Sequence, residues 1–227
     1  MATLREVVLM PRDLRSKVPH PLADDVVLCV HGFLASAGVF RPLKAALAAQ
    51  GVEVASFTYA PGVGVESIAG RIKRLIKKLP AFARVHIVGH SLGGLAARFY
   101  VQEMNGHARV TQTISMASPF HGTRIANALP FFVGSDLHTS SDIHARVRAK
   151  AHEFTVPHTS IVAASDRVVV PPESAVFPMG DVITLHGRGH NALLYDPESI
   201  AIVLDRVLRC RAAAVASESD DPDASDE

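Results

Sequence analysis

At 227 residues, 48% hydrophobic and 20% charged, the chain has ordinary globular composition and the length for one domain with a sizeable core. Its formal charge of +1 conceals an asymmetry: six of the 22 acids stand in the final SESDDPDASDE, which leaves the body at about +7. Two cysteines, Cys29 and Cys210, exclude a disulfide framework; no run approaches the ~18 apolar residues of a membrane span; and an N-terminus carrying Arg5, Glu6, Arg12 and Asp13 does not read as a signal peptide, so the chain as given is expected to be soluble and cytoplasmic.

From Val26 onward short apolar runs alternate with amphipathic stretches, the pattern of βαβ units on a mostly parallel sheet. Val26–Val30 reads as a buried strand, and Val39–Gln50 as a helix with Phe40, Leu43 and Leu47 inward. Val52–Phe57 is the next strand, closed by Pro61 and Gly62. Val65–Leu79 is an amphipathic helix with Ile68, Ile72, Leu75, Ile76 and Leu79 on one face. A strand over Val85–Val88, a helix over Leu92–Met104 ended by Asn105-Gly106, and a strand over Val110–Ala117 follow. Residues 118–153 break the rhythm. Strands resume at Ser160–Ala164 and Asp181–Leu185. The last helix is capped by Asp196, starts at Pro197, and buries Ile200, Val203, Leu204, Val207 and Leu208. This predicts a single domain over 1–216 with an insert at 118–153. The Ser/Asp-rich tail, 217–227, cannot bury enough surface to order itself.

The chemistry gathers around Gly89-His90-Ser91-Leu92-Gly93, a G-x-S-x-G motif with a strand before it and a helix after it. Such a turn is so tight that side chains two residues either side of the serine would collide, hence Gly89 and Gly93. It lifts the Ser91 hydroxyl clear of the backbone, above a helix start whose N–H groups favour developing negative charge. A serine hydroxyl needs a base to attack. The candidate base is His190, in Gly187-Arg188-Gly189-His190-Asn191, with His186 as its rival. The candidate acid is Asp166, just after an apolar strand, ahead of Asp181, which opens a strand at the wrong end, and of Asp136 and Asp142 in the insert. Two oxyanion donors are expected from backbone amides, those of Leu92 and of Phe33 in His31-Gly32-Phe33-Leu34.

The pieces HGF (31–33), GHSLGG (89–94), SPFHGT (118–123), SDRVVVP (165–171) and GHNALL (189–194) together resemble the bacterial lipase branch of the α/β-hydrolase superfamily, over most of the chain from Val26 to Leu208. The resemblance implies an α/β-hydrolase fold, a Ser91–Asp166–His190 triad and acyl ester or lipid substrates; some relatives hold a structural calcium, but the sequence offers no aspartate cluster for one, and no cofactor or metal is expected. Thioesterase, lipid deacylase and acyltransferase chemistry use the same triad, and a non-catalytic binding protein of the same fold is the alternative outside enzymes. The chain is short for a lipase with a large lid, and secreted relatives carry a leader that is not seen here.

The insert is the expected cover over Ser91. Leu129, Phe131, Phe132 and Val133 read as an acyl-binding wall or as packing of a helix within the insert, and His121 as a pocket or turn residue. The helix around Arg71, Lys73, Arg74, Lys77 and Lys78 has a cationic outer face, read either as a solvated surface or as a transient contact to an anionic lipid interface. No nucleic-acid module accompanies it.

Overall fold

The computed structural model describes residues 23–128, 135–153 and 155–219. Among them six strands form one sheet: β1 (Asp25–Val30), β2 (Glu53–Phe57), β3 (Arg84–His90), β4 (Val110–Met116), β5 (His158–Ala163) and β6 (Asp181–Leu185). The order is β2-β1-β3-β4-β5-β6, and every neighbouring pair is parallel. Parallel neighbours require crossovers. The helices are α1 (Arg41–Ala49), α2 (Val65–Ile76), α3 (Leu92–Glu103), the short α4 (Arg124–Ala128) and α5 (Asp142–Ala149) of the insert, and α6 (Pro197–Ser219).

Side-chain alternation along the strands divides the core in two. Val27, Cys29, Val54 and Val88 face Leu43 and Leu47 of α1 and Val203 and Val207 of α6. On the other face Val26, Leu28, Val85 and Ile87 meet Ile68 and Ile72 of α2, Leu95 and Phe99 of α3, and Val147 of α5. β1 is buried along its whole length, as its unbroken apolar run requires.

Element ends depart from expectation for local reasons. A 3₁₀ turn over Ala37–Phe40 precedes α1, which begins at Arg41 and not Val39. α2 stops at Ile76, short of Leu79. Pro80 bars its predecessor from helical geometry, and the chain tightens instead, Lys78 and Leu79 donating to the carbonyls of Leu75 (2.9 Å) and Ile76 (3.0 Å). α6 is capped by Asp196, whose carboxylate accepts from Ser199 N–H at 3.1 Å. It runs far beyond Leu208, because the alanine-rich stretch 211–216 is a strong helix former. It thereby takes in 217–219 of the segment expected as a tail; 220–227 lie outside the described residues.

Two polar clusters are buried in this interior. At the start of β1, Asp25 accepts from Arg84 Nε and Nη2 (2.8 and 2.9 Å), His86 Nε2 (3.3 Å) and Arg211 Nε (2.8 Å). Burial alone would raise the Asp25 pKa. The bonds from His86, Arg84 and Arg211 outweigh it and hold the carboxyl well below the usual carboxylate range. In the second cluster Arg98 of α3 donates to Thr113 Oγ1 (3.1 Å) and the Val156 carbonyl (3.2 Å) and lies over the Phe177 ring, while His158 bonds Thr113 (2.8 Å) and Ser160 (3.1 Å). Cys29 and Cys210 are both free, and burial pushes the Cys29 thiol up to about 12, which makes it inert. Among the described residues no helix is long and apolar enough to cross a membrane.

Candidate functional site

The strand order reverses between β1 and β3, and sheets of this kind place their sites beyond the carboxyl ends of the strands at that point. Ser91 stands there, between the last residue of β3 and the first of α3. Its backbone, φ 52° and ψ −122°, is in a region that costs an L-residue of order 1–3 kcal/mol. The surroundings enforce it. Ser91 N–H donates to the Met116 carbonyl of β4 (2.9 Å). A Cβ at Gly89 would strike the backbone of Gly94, and one at Gly93 the carbonyl of Val30. The two glycines thus let α3 start directly against β3 and β1.

Gly32 lies against this elbow: a Cβ placed on it would come within 3.0 Å of Ser91 Cβ. The loop carrying Phe33 therefore runs beside the serine. His31 braces the loop. Its Nδ1–H donates to the Gly32 carbonyl (2.7 Å), its Nε2 accepts from Tyr59 N–H (3.2 Å), the Tyr59 hydroxyl donates to the His31 carbonyl, and the two rings stack at 3.9 Å. Burial brings His31 down to about 4, against the Gly32 hydrogen bond, which raises it, so the ring stays neutral. Leu92 opens α3, where backbone N–H groups have no intrahelical acceptor. Phe33 and Leu92 both line a narrow cleft with Val63, Leu137 and the carboxylate of Asp136. Val63 and Leu137 carry no motif, and only the folded chain brings them to this place. Asp136 accepts from Val65 N–H at 2.7 Å and so caps α2, docking the insert onto it.

Asp166 and His190 meet across 24 residues. His190 Nδ1–H donates to Asp166 Oδ2 at 2.8 Å, both side chains being nearly inaccessible. The other carboxylate oxygen accepts from Val168 N–H (2.8 Å) and Val169 N–H (2.9 Å). With its proton on Nδ1, the neutral imidazole carries its lone pair on Nε2. The loops holding the pair are clamped from three sides. Ser165 N–H donates to the Arg188 carbonyl (2.9 Å). Arg188 is ion-paired to Asp196 (2.7 Å). From the insert, Thr123 Oγ1 donates to the Val168 carbonyl (2.6 Å) and accepts from Val170 N–H (3.0 Å). No sequence periodicity marks Thr123; its place in SPFHGT was the only signal. Thr123→Val keeps the shape and strands both backbone partners. The expected result is a loss of about 1–3 kcal/mol in stability with a reduced kcat, read by thermal melting and initial rates.

The rivals lie elsewhere. His186 is exposed, and Asp181 is exposed at the opening end of β6, paired with Arg206 at 2.7 Å. Asp142 lies beside Arg146 on α5. His121 is exposed at the surface of the insert, its backbone N–H bonded to the Ser174 carbonyl. Leu129, Phe131, Phe132 and Val133, the expected acyl wall, lie outside the described residues. Among the described residues no cluster of three or more His, Cys, Asp or Glu side chains is placed to hold a metal ion.

Comparison with known proteins bears on the family and the fold. The family model described as palmitoyl protein thioesterase matches residues 27–155. No curated protein matches the sequence. Among solved structures, the chain is similar to the monoacylglycerol lipase of Paleococcus ferrophilus, with TM-score 0.68 and 16% identity over 82% of this chain and 94% of that one. It is similar to a Bacillus licheniformis lipase in its mature form, with TM-score 0.69 and 13% identity over 85% and 95%. It is also similar to the thioesterase domain from the curacin biosynthetic pathway, with TM-score 0.60 and 16% identity over 84% and 92%. At these identities the likeness is one of fold, and the fold is that of the α/β-hydrolases.

Proposed function

Because the chain belongs to the palmitoyl protein thioesterase family, whose fold is that of the α/β-hydrolases, we propose that it cleaves acyl esters and thioesters through an acyl-enzyme on Ser91. The observation that carries this reading is the Asp166–His190 hydrogen bond, held by loops at the same sheet end as the strained Ser91 elbow. His190 Nε2 takes the Ser91 proton as Oγ bonds to the acyl carbon. The amides of Phe33 and Leu92 hold the resulting oxyanion. The carbon–oxygen or carbon–sulfur bond then breaks, and the alcohol or thiol leaves with the proton from His190. Water, deprotonated by His190, attacks the acyl carbon; the bond to Ser91 Oγ breaks, Oγ takes the proton back from His190, and the carboxylic acid leaves. Asp166 accepts from His190 Nδ1–H, fixing the tautomer and stabilising the imidazolium.

The match to a thioesterase family favours a thioester beside the oxygen ester as substrate. A lipid interface would meet this protein at the mouth of the site. Leu34, Ile125, Val168 and Tyr195 are exposed large apolar residues on the segments after β1, β4, β5 and β6. Lys77 and Lys78 lie between the end of α2 and the start of β3, hence at the opening ends of the strands and away from Ser91, which favours the apolar rim over the basic helix as the lipid-facing surface.

The test is a matched series of oxygen esters and thioesters of increasing acyl length, soluble and emulsified, with wild type, His190→Ala and His186→Ala. Turnover of both classes is expected, with a loss of at least about 10³-fold in His190→Ala and none beyond about twofold in His186→Ala. Equal losses in the two variants would remove His190 as the base. A rate jump on emulsified substrate marks a lipase, and a flat response an esterase.

A further inference from the structure

We propose that His90, the residue before Ser91, is a positioning residue that seats the His190 loop against the elbow through its Nε2–H, an inference that rests on the reading of His190 as the base. The His90 ring is buried between the two loops that frame Ser91. On one side its Nε2 lies 3.2 Å from the His190 carbonyl oxygen. A carbonyl only accepts, so the proton is on Nε2 and Nδ1 carries a lone pair. The two imidazoles are in contact, with centroids 4.7 Å apart and planes at 56°. On the other side the ring meets Gly32: a Cβ there would lie 3.1 Å from His90 Nδ1 and 3.3 Å from its carbonyl oxygen. His90 Nδ1 is buried and has no hydrogen-bond partner among the described residues. One ring therefore spans the gap between the oxyanion loop and the base loop, bonded among the described residues through its Nε2 edge.

The tether matters because the Asp166 bond holds the His190 ring at a single atom, and the clamps on its loop described above act at Arg188 and Asp196 rather than at His190 itself. Gly187 has φ +69° and Gly189 immediately precedes His190. Donation from His90 to the His190 carbonyl adds a hold at the residue that bears the base, and fixes where Nε2 of His190 stands relative to Ser91. Burial, reinforced by the neighbouring His190, holds His90 well below the usual histidine range, so the ring remains a neutral donor and does not compete as a base.

The experiment exploits amide mimicry. In His90→Gln the side-chain NH₂ reaches the place of Nε2; in His90→Asn it reaches only the place of Nδ1. With folding confirmed by circular dichroism, kcat for a soluble ester is expected to fall about 30-fold or more in His90→Asn and no more than about threefold in His90→Gln, with KM unchanged in both. The downfield proton resonance of His190 Nδ1–H, which reports the seat on Asp166 without reference to turnover, is expected to persist in wild type and His90→Gln and to broaden or shift in His90→Asn. Equal kcat losses in the two variants, or a loss confined to KM, would overturn the proposal. If the asparagine chain does not fold, His90→Leu takes its place as the variant without a donor. Retained turnover in Ser91→Ala would instead unseat the functional reading. The resonance then decides alone, and an unshifted signal in His90→Asn disproves the tether.

Discussion

Ser91→Ala is expected to lower turnover of soluble acyl esters at least about 10⁴-fold while leaving the far-ultraviolet spectrum and melting temperature of the wild type. The alanine keeps the Cβ that already packs against Gly32, and the Ser91 backbone bonds are untouched, so the elbow persists without its hydroxyl. The residual rate is expected to remain above that in water, because the proposed oxyanion donors are the backbone amides of Phe33 and Leu92, which the substitution does not remove. A fluorophosphonate reagent should label the wild type at Ser91 and leave the variant unlabelled. Unchanged turnover would show that another group forms the acyl intermediate.

The second large effect is on stability against acid. His31 and His144 are each displaced from 6.5 to about 4, His31 by burial against its bond to Gly32, and His144 by burial and the nearby Arg148 charge. His90 and His158 are driven well below 6.5 by burial, with His190 adding to the first and Arg98 to the second. In the unfolded chain these rings titrate normally. Between pH 6.5 and 4 the unfolded state therefore binds protons that the folded state refuses, and stability falls as pH falls. The contribution is complete above the unfolded value and is lost on the way down toward the folded one. A displacement of that size corresponds to about 3 kcal/mol per ring, so two rings alone approach the ~5–15 kcal/mol of a typical domain. Melting temperature measured from pH 7.5 to pH 4 should drop steeply below 6.5, and His144→Leu should shallow that slope by about one proton. A flat profile would mean that these rings reach water before the chain unfolds.

Legibility in the sequence followed the range of the interaction. The VVLCV strand, the Ile68–Ile72–Ile76 stripe of α2 and Gly89 beside Ser91 each depend on neighbours within one turn or one strand, so local pattern sufficed; Gly93 was legible from the motif, but what requires it is the distant carbonyl of Val30. Helix ends were less legible where apolar packing did not set them: α6 outlasts its last buried valine because alanine propensity carries it on and Arg211 ties it to Asp25 and the Gln50 carbonyl. The approach of His190 to Asp166 was inferred from loop placement, but what holds it was not. Thr123 reaches Val168 and Val170 from 45 and 47 residues away, and His31 is braced by Tyr59 from 28. Such contacts leave no periodic trace, since they depend only on which loops converge at one end of the sheet. Val63 and Leu137 were hidden for the same reason.

The cluster on Asp25 has a consequence for the order in which the protein is made. Its carboxylate is among the first described groups to leave the ribosome, and Arg211 among the last, 186 positions later. Until α6 has been synthesised, Asp25 lacks one of its cations, and the sheet face of Val27, Cys29 and Val54 lacks the cover of Val203 and Val207. β1 to β5 can pair during translation, but until α6 arrives the nascent chain carries an apolar face covered by α1 alone. That interval, and not the finished fold, is where chaperone engagement and aggregation would compete for it.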